Sequence, residues 1–87
     1  MVRKLIKKDR RTSTRIEAVL YDGSIESKEV ILKLEKGPIF LLEKKNKLTI
    51  RTLDSITEVE KGHYVIKEDG FDELYGCDEY FFNSMFK

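Results

Sequence analysis

Tryptophan is missing from this chain of 87 residues, and cysteine, histidine and proline occur once each. Each scarcity removes a class of explanation. The lone Cys77 has no partner for an internal disulfide, which points to a reducing, cytoplasmic setting and to a thiol that behaves as a small buried hydrophobe. The lone His63 has neither a second histidine nor a paired cysteine beside it, so no metal site is expected and no Ser/His/Asp constellation has a recognisable spacing. The few glycines follow neither the phosphate-loop nor the dinucleotide-binding pattern, so no cofactor is expected either. Apolar runs are short, such as Ile39-Phe40-Leu41-Leu42, against the roughly 20 residues a membrane span requires. Leu5-Ile6 is cut off by Lys7-Lys8 before any signal-peptide core develops.

Charge is plentiful, at 38% of residues, yet the net charge is only +1. Its distribution is what matters. Arg3, Lys4, Lys7, Lys8, Arg10, Arg11 and Arg15 face the single acid Asp9 at one end of the chain. At the other end, Glu68, Asp69, Asp72, Glu73, Asp78 and Glu79 are interleaved with Phe71, Tyr75, Tyr80, Phe81, Phe82 and Phe86. A chain polarised in this way can clamp its own ends together or offer two oppositely charged surfaces to partners.

Period-two alternation dominates the middle. The length fits a single domain spanning 1–87, with residues 1–14 as a basic arm whose Val2–Lys7 segment can form a first strand. Ile16, Ala18 and Leu20 alternate as a strand, and Asp22-Gly23 supplies a type I′ hairpin turn. The return strand would then carry Val30, Leu32 and Leu34 with reversed parity, which requires a β-bulge near Ser27–Glu29. Ile39-Phe40-Leu41-Leu42 reads as a central strand covered on both faces, joined to Leu48–Thr52 through a lysine-rich loop in which Asn46 suits a left-handed conformation. A last hairpin around Lys61-Gly62 would set Val59 opposite Tyr64. Beyond Gly70, Leu74, Cys77, Phe81 and Met85 recur at helical spacing as the expected buried stripe, and the helix itself begins with Asp78 as N-cap and Glu79 in the first turn. The expected class is α+β, mainly β: a small, curled, barrel-like antiparallel sheet of five or six strands with one C-terminal helix.

Function is narrowed by elimination. The adjacent carboxylate pairs Asp72/Glu73 and Asp78/Glu79 read as solvated helix ends, so no enzyme is expected. Two binding readings remain. In the first, Asp78, Glu79, Tyr80, Phe82 and Phe86 form an acidic-aromatic surface that docks on another protein with a basic surface, as small inhibitors and regulators of phage or mobile-element type do. In the second, the seven cations of the N-terminal segment together with Lys44, Lys45 and Lys47 neutralise nucleic-acid phosphates. Pairing of an exposed Arg15–Leu20 edge with a second copy would give a homodimer.

Arg11 and Arg15, followed by Asp22-Gly23-Ser24, resemble in outline the arginine pair and Asp-x-Ser element of PilZ-type cyclic-dinucleotide receptors. Ser27 stands where that element carries glycine. The resemblance covers a handful of positions and implies a cyclic-dinucleotide ligand held by those two arginines.

Overall fold

The structure is a computed structural model that describes residues 4–71 and 73–86. Seven strands and two helices follow in the order β1 (Lys4–Lys8), β2 (Arg15–Leu20), α1 (Ile25–Leu32), β3 (Phe40–Lys44), β4 (Lys47–Arg51), β5 (Ile56–Glu60), β6 (Tyr64–Glu68), β7 (Leu74–Cys77) and α2 (Glu79–Met85). The mainly-β α+β class holds. The strands divide into two antiparallel sheets, β1-β2-β6-β7 and β3-β4-β5, and do not close into a barrel.

The four-stranded sheet is the middle layer because β2 and β6 are apolar on both faces. Val19 and Val65, with Tyr21 beyond the end of β2, join Ile31, Leu34, Leu48, Ile50, Val59 and Leu74 in one core, between this sheet, α1 and the three-stranded sheet. Ile16, Ala18, Ile66 and Cys77 face the other way and pack against Phe82 and Phe86 of the C-terminal segment. Strand periodicity sends alternate side chains to opposite faces, so one strand can serve two cores.

The segment after Asp22-Gly23 corrects the expected hairpin. Ile25–Leu32 is a helix, and there is no return strand or bulge near Ser27–Glu29. Asp22 Oδ1 accepts from the Ser24 amide at 2.9 Å, and Ser24 Oγ accepts from the Ser27 amide at 3.0 Å, which together start the helix. Ser27, Ile31 and Leu34 are buried at helical spacing, whereas Leu32 is exposed. The alternation of Val30, Leu32 and Leu34 is therefore incidental, and the reversed parity reflects a change from period two to 3.6.

Four further expectations change. The β3–β4 hairpin forms as expected, but β3 is an edge strand whose Phe40 and Leu42 are exposed, not a central strand covered on both faces. Its turn places Lys45 at φ 50°, instead of Asn46, in the left-handed region. Lys61-Gly62 turns the chain, yet β5 pairs with β4 while β6 pairs with β2 and β7, so the chain crosses between sheets. Val59 enters the first core and Tyr64 packs against the second, so the two do not face each other as a hairpin pair. Finally, β2 lies between β1 and β6, so Arg15–Leu20 offers no free edge for a second copy.

The ends of the described chain are tied together through backbone. Asp9 bridges to Phe86, and the Arg10 amide donates to the Met85 carbonyl at 2.8 Å. Residues 4–8 of the expected basic arm are therefore a paired strand, and Asp9–Thr14 is the β1–β2 turn. Asp9 is buried, and its carboxylate accepts from the Arg11 amide at 2.8 Å and from Arg11 Nη2 at 2.8 Å.

These contacts dictate how stability depends on pH. Hydrogen bonding from the Arg11 side chain holds Asp9 down to about 2, and the Tyr21 hydroxyl on Glu43 and the Ser24 hydroxyl beside Asp22 hold those carboxyls below the ordinary range. A carboxylate whose folded value is depressed stabilises the fold above its unfolded value, and that contribution is lost as pH falls from roughly 4 towards 2. On the alkaline side, burial pushes Tyr21 and Tyr75 up to about 12 and Cys77 up to about 11. The folded state keeps protons that the unfolded chain releases, so stability falls as pH rises from roughly 9 to 12. Urea midpoints measured across pH are expected to plateau between these limbs, and Asp9→Asn is expected to shrink the acid limb. An acid limb of unchanged size in that variant would contradict this account of Asp9.

Candidate functional site

Three surfaces present chemistry outward. The first is the start of α2. Asp78 caps the helix, its Oδ1 accepting from the Phe81 amide at 2.7 Å, and this cap fixes where the helix that carries the aromatic run begins. Phe82 and Phe86 then point inward at 2% and 3% exposure. Phe82 stacks on Tyr64 with centroids 4.0 Å apart, and it meets Phe86 at 5.4 Å. Tyr80, at 83%, and Phe81 point outward beside exposed Asp78 and Glu79.

This exchanges Phe81 for Phe82 and Phe86 in the expected division of the helix, while Tyr80 is outward and Met85 packs against the second core as expected. Phe82 and Phe86 anchor the helix and are not free to meet a partner, whereas Phe81, expected in the core, is exposed. The stripes Phe81/Met85 and Phe82/Phe86 are both spaced i,i+4, so helical period alone does not choose between them. The choice is made by Tyr64 of β6, which offers a ring face to Phe82 across the sheet. Leu74 and Cys77, read at helical spacing as part of the buried stripe, are buried, but they lie in β7, before the Asp78 cap. Cys77 is a buried free thiol whose proton is held by burial, which disfavours the reactive thiolate.

The second surface carries the cations, and they do not converge. Arg3 lies outside the described residues. Lys8 stands directly opposite Arg15 across β1 and β2, on the same face of the sheet as Lys4, whereas Lys7, opposite Ile16, lies on the other face. Lys4 is paired with Glu17 at 3.6 Å and Arg11 with Asp9 at 2.8 Å. Lys44 and Lys47 sit opposite one another at the β3–β4 tip, with Lys45 in the turn between them. Like charges in direct opposition are destabilising unless an anion relieves them. His63 approaches Glu60 at 3.8 Å, and among the described residues no group of three metal-ligating side chains converges.

The third surface has no counterpart in the sequence reading. The three-stranded sheet buries Leu48, Ile50 and Val59 on its inner face and leaves its outer face open. The pairing register places Phe40, Arg51 and Ile56 in one row across the outer face, Leu42, Thr49 and Glu58 in the next, and Lys44, Lys47 and Glu60 in the third. Phe40 is 67% exposed, Ile56 66%, and Leu53 in the β4–β5 loop 80%. With Leu42 and Arg51 they line an open groove of about 650 Å³. The signal was present as the apolar run Ile39–Leu42, which sequence alone assigns to a covered strand as readily as to an exposed one.

Arg11 is engaged by Asp9, and Asp22-Gly23-Ser24 opens α1, so one arginine of the cyclic-dinucleotide resemblance and its Asp-x-Ser element are occupied with local structure. No helix among the described residues is long and apolar enough to cross a membrane. Compared with protein-family models, curated proteins and solved structures, the chain finds no significant match in any of the three.

Proposed function

We propose that this chain is a small non-enzymatic binding protein, cytoplasmic and acting as an inhibitor or regulator, that docks on a basic surface of another protein through Asp78, Glu79, Tyr80 and Phe81. The observation that supports this most is the outward pair Tyr80 and Phe81 on a helix held in place by Phe82 and Phe86. Two exposed rings on a fixed helix lose little conformational freedom on binding, and the neighbouring carboxylates steer the encounter. Removing an anchoring ring costs about 2 kcal/mol or more of affinity, whereas removing a rim carboxylate mainly slows association.

The test is affinity capture from a lysate, at low and high salt, with and without nuclease. Recovery of a protein by the parent after nuclease treatment, and its loss with Tyr80→Ala/Phe81→Ala, are expected. Equal recovery by the parent and the doubly substituted chain would refute the assignment. A second reading takes the opposed Lys44 and Lys47 with Lys45 at the β3–β4 tip, and separately Lys8, Arg10 and Arg15, as nucleic-acid contacts. It predicts nuclease-sensitive recovery and retention on nucleic acid that falls steeply with salt.

A further inference from the structure

We infer that the free edge of β3 accepts an extended peptide of another protein as an added antiparallel strand, with apolar residues opposite Phe40 and Leu42 and a carboxylate opposite Lys44. This does not rest on the α2 reading, since it uses a different surface. Strand β3 is the outer strand of its sheet, and among the described residues no backbone hydrogen bond outside the β4 ladder reaches Phe40–Lys44. The opposite edge, β5, is covered by β7, whose Leu74 carbonyl accepts from Thr57 Oγ1. Strand β1 also ends a sheet, but it carries Lys4, Lys7 and Lys8 within five residues, a common means of deterring pairing.

The register shows which groups are open. Lys44 and Lys47 close a two-residue turn, which makes them a hydrogen-bonded pair. Such pairs alternate along an antiparallel ladder, so Leu42 with Thr49 and Phe40 with Arg51 are bonded as well, and the N–H and C=O of Leu41 and Glu43 point away from β4. On the far side of β4, the Lys61 amide donates to the Asn46 carbonyl at 2.7 Å, which continues the same alternation. Two donors and two acceptors at strand spacing are matched in full by another strand.

Side chains then select its sequence. Along the edge the outer face reads Phe40, Leu42, Lys44, and the next strand reads Arg51, Thr49, Lys47, with Lys45 in the turn between. No acid stands on this half of the face. Glu58 and Glu60 lie on β5, roughly 10 Å from β3, and Glu43 faces inward to the Tyr21 hydroxyl and to Lys28. An added antiparallel strand therefore meets an uncompensated cation at its first outer position and exposed apolar surface at the next two, which favours the order acid, x, apolar, x, apolar.

Other occupants fit less well. A nucleic acid lacks the repeating N–H and C=O groups that the edge requires, and Phe40 is the one ring on this face available for stacking. A second copy pairing β3 on β3 about Leu42 would set Phe40 beside Lys44 at both ends and leave each lysine without an anion.

Amide NMR of the isotope-labelled protein, titrated with the capped peptide Gly-Glu-Thr-Val-Thr-Ile-Gly, tests this. Binding is expected with a dissociation constant on the order of 100 µM, and with the largest shifts at the Leu41 and Glu43 amides. N-methylation of both peptide threonines, whose N–H groups face β3, should abolish binding, whereas N-methylation of the valine, whose N–H faces away, should leave it. Lys44→Glu, with an unchanged melting temperature, should weaken binding about tenfold, and a lysine in place of the peptide's glutamate should restore it. Absence of shifts at millimolar peptide overturns the proposal. So does equal binding by the threonine-methylated peptide, an affinity unaffected by Lys44→Glu, or a peptide-free protein that sediments as a dimer through β3.

Discussion

Phe82→Ala is expected to lower the unfolding free energy by about 4 kcal/mol, whereas Tyr80→Ala should change it by less than about 0.5 kcal/mol. The two residues are two positions apart on one short helix, and only one is inside. Phe82 fills the second core together with Ile16, Ala18, Ile66, Cys77 and Phe86, and its ring lies parallel to that of Tyr64. Truncation removes that stack and leaves a cavity under α2, in a domain whose total stability is on the order of 5–10 kcal/mol. Because Arg10 is bonded to Met85 and Asp9 bridges to Phe86, losing the helix also loosens the β1–β2 turn. Equilibrium unfolding in urea reads both effects. Similar losses for the two variants would mean that the aromatic face is assigned the wrong way round.

Gly76→Val is expected to cost about 3 kcal/mol, and the loss should shrink when Val59→Ala is added. Strand β7 passes so close to β5 that a Cβ on Gly76 would lie 2.9 Å from Cγ2 of Val59. The contact is with a branched, stiff side chain beside the Glu58 backbone, so relief requires moving the strands apart. This is where the two sheets meet without a ladder between them; Thr57 Oγ1 donates to the Leu74 carbonyl at 2.7 Å across the same junction. A double-mutant cycle in urea should therefore show strong coupling between positions 59 and 76. Additive losses would contradict the close approach.

Parts of this fold are legible in the chain because local chemistry decides them. The alternation of β2, the β3–β4 hairpin and the Asp78 cap each rest on neighbours within a few residues. Helix α1 was also local, since Asp22, Ser24 and Ser27 form its start, but Asp22-Gly23 is equally good hairpin chemistry, and three apolar residues then happened to alternate. The crossing at Lys61-Gly62 is different in kind. Gly62, at φ 93°, supplies a turn whether the next strand pairs with the last or leaves for another sheet. What directs it are bonds from Gly62 to the Tyr21 carbonyl and from the Tyr21 amide to His63, 41 and 42 residues apart in sequence. Likewise, which of two adjacent aromatic stripes faces inward is decided by Tyr64, and no period on the helix carries that information.

The same distinction governs function. Composition marked the C-terminal segment as unusual, but much of its aromatic content builds the second core, and what remains outward on α2 and its cap is Tyr80 and Phe81 with Asp78 and Glu79. The central claim is that this small remainder binds another protein. Titration calorimetry of the captured protein against the parent and against Tyr80→Ala/Phe81→Ala tests it most directly, with melting temperatures confirming that both are folded. The account predicts at least about a thirtyfold loss of affinity for the substituted chain, corresponding to roughly 2 kcal/mol. Equal affinity in two equally stable proteins would contradict it.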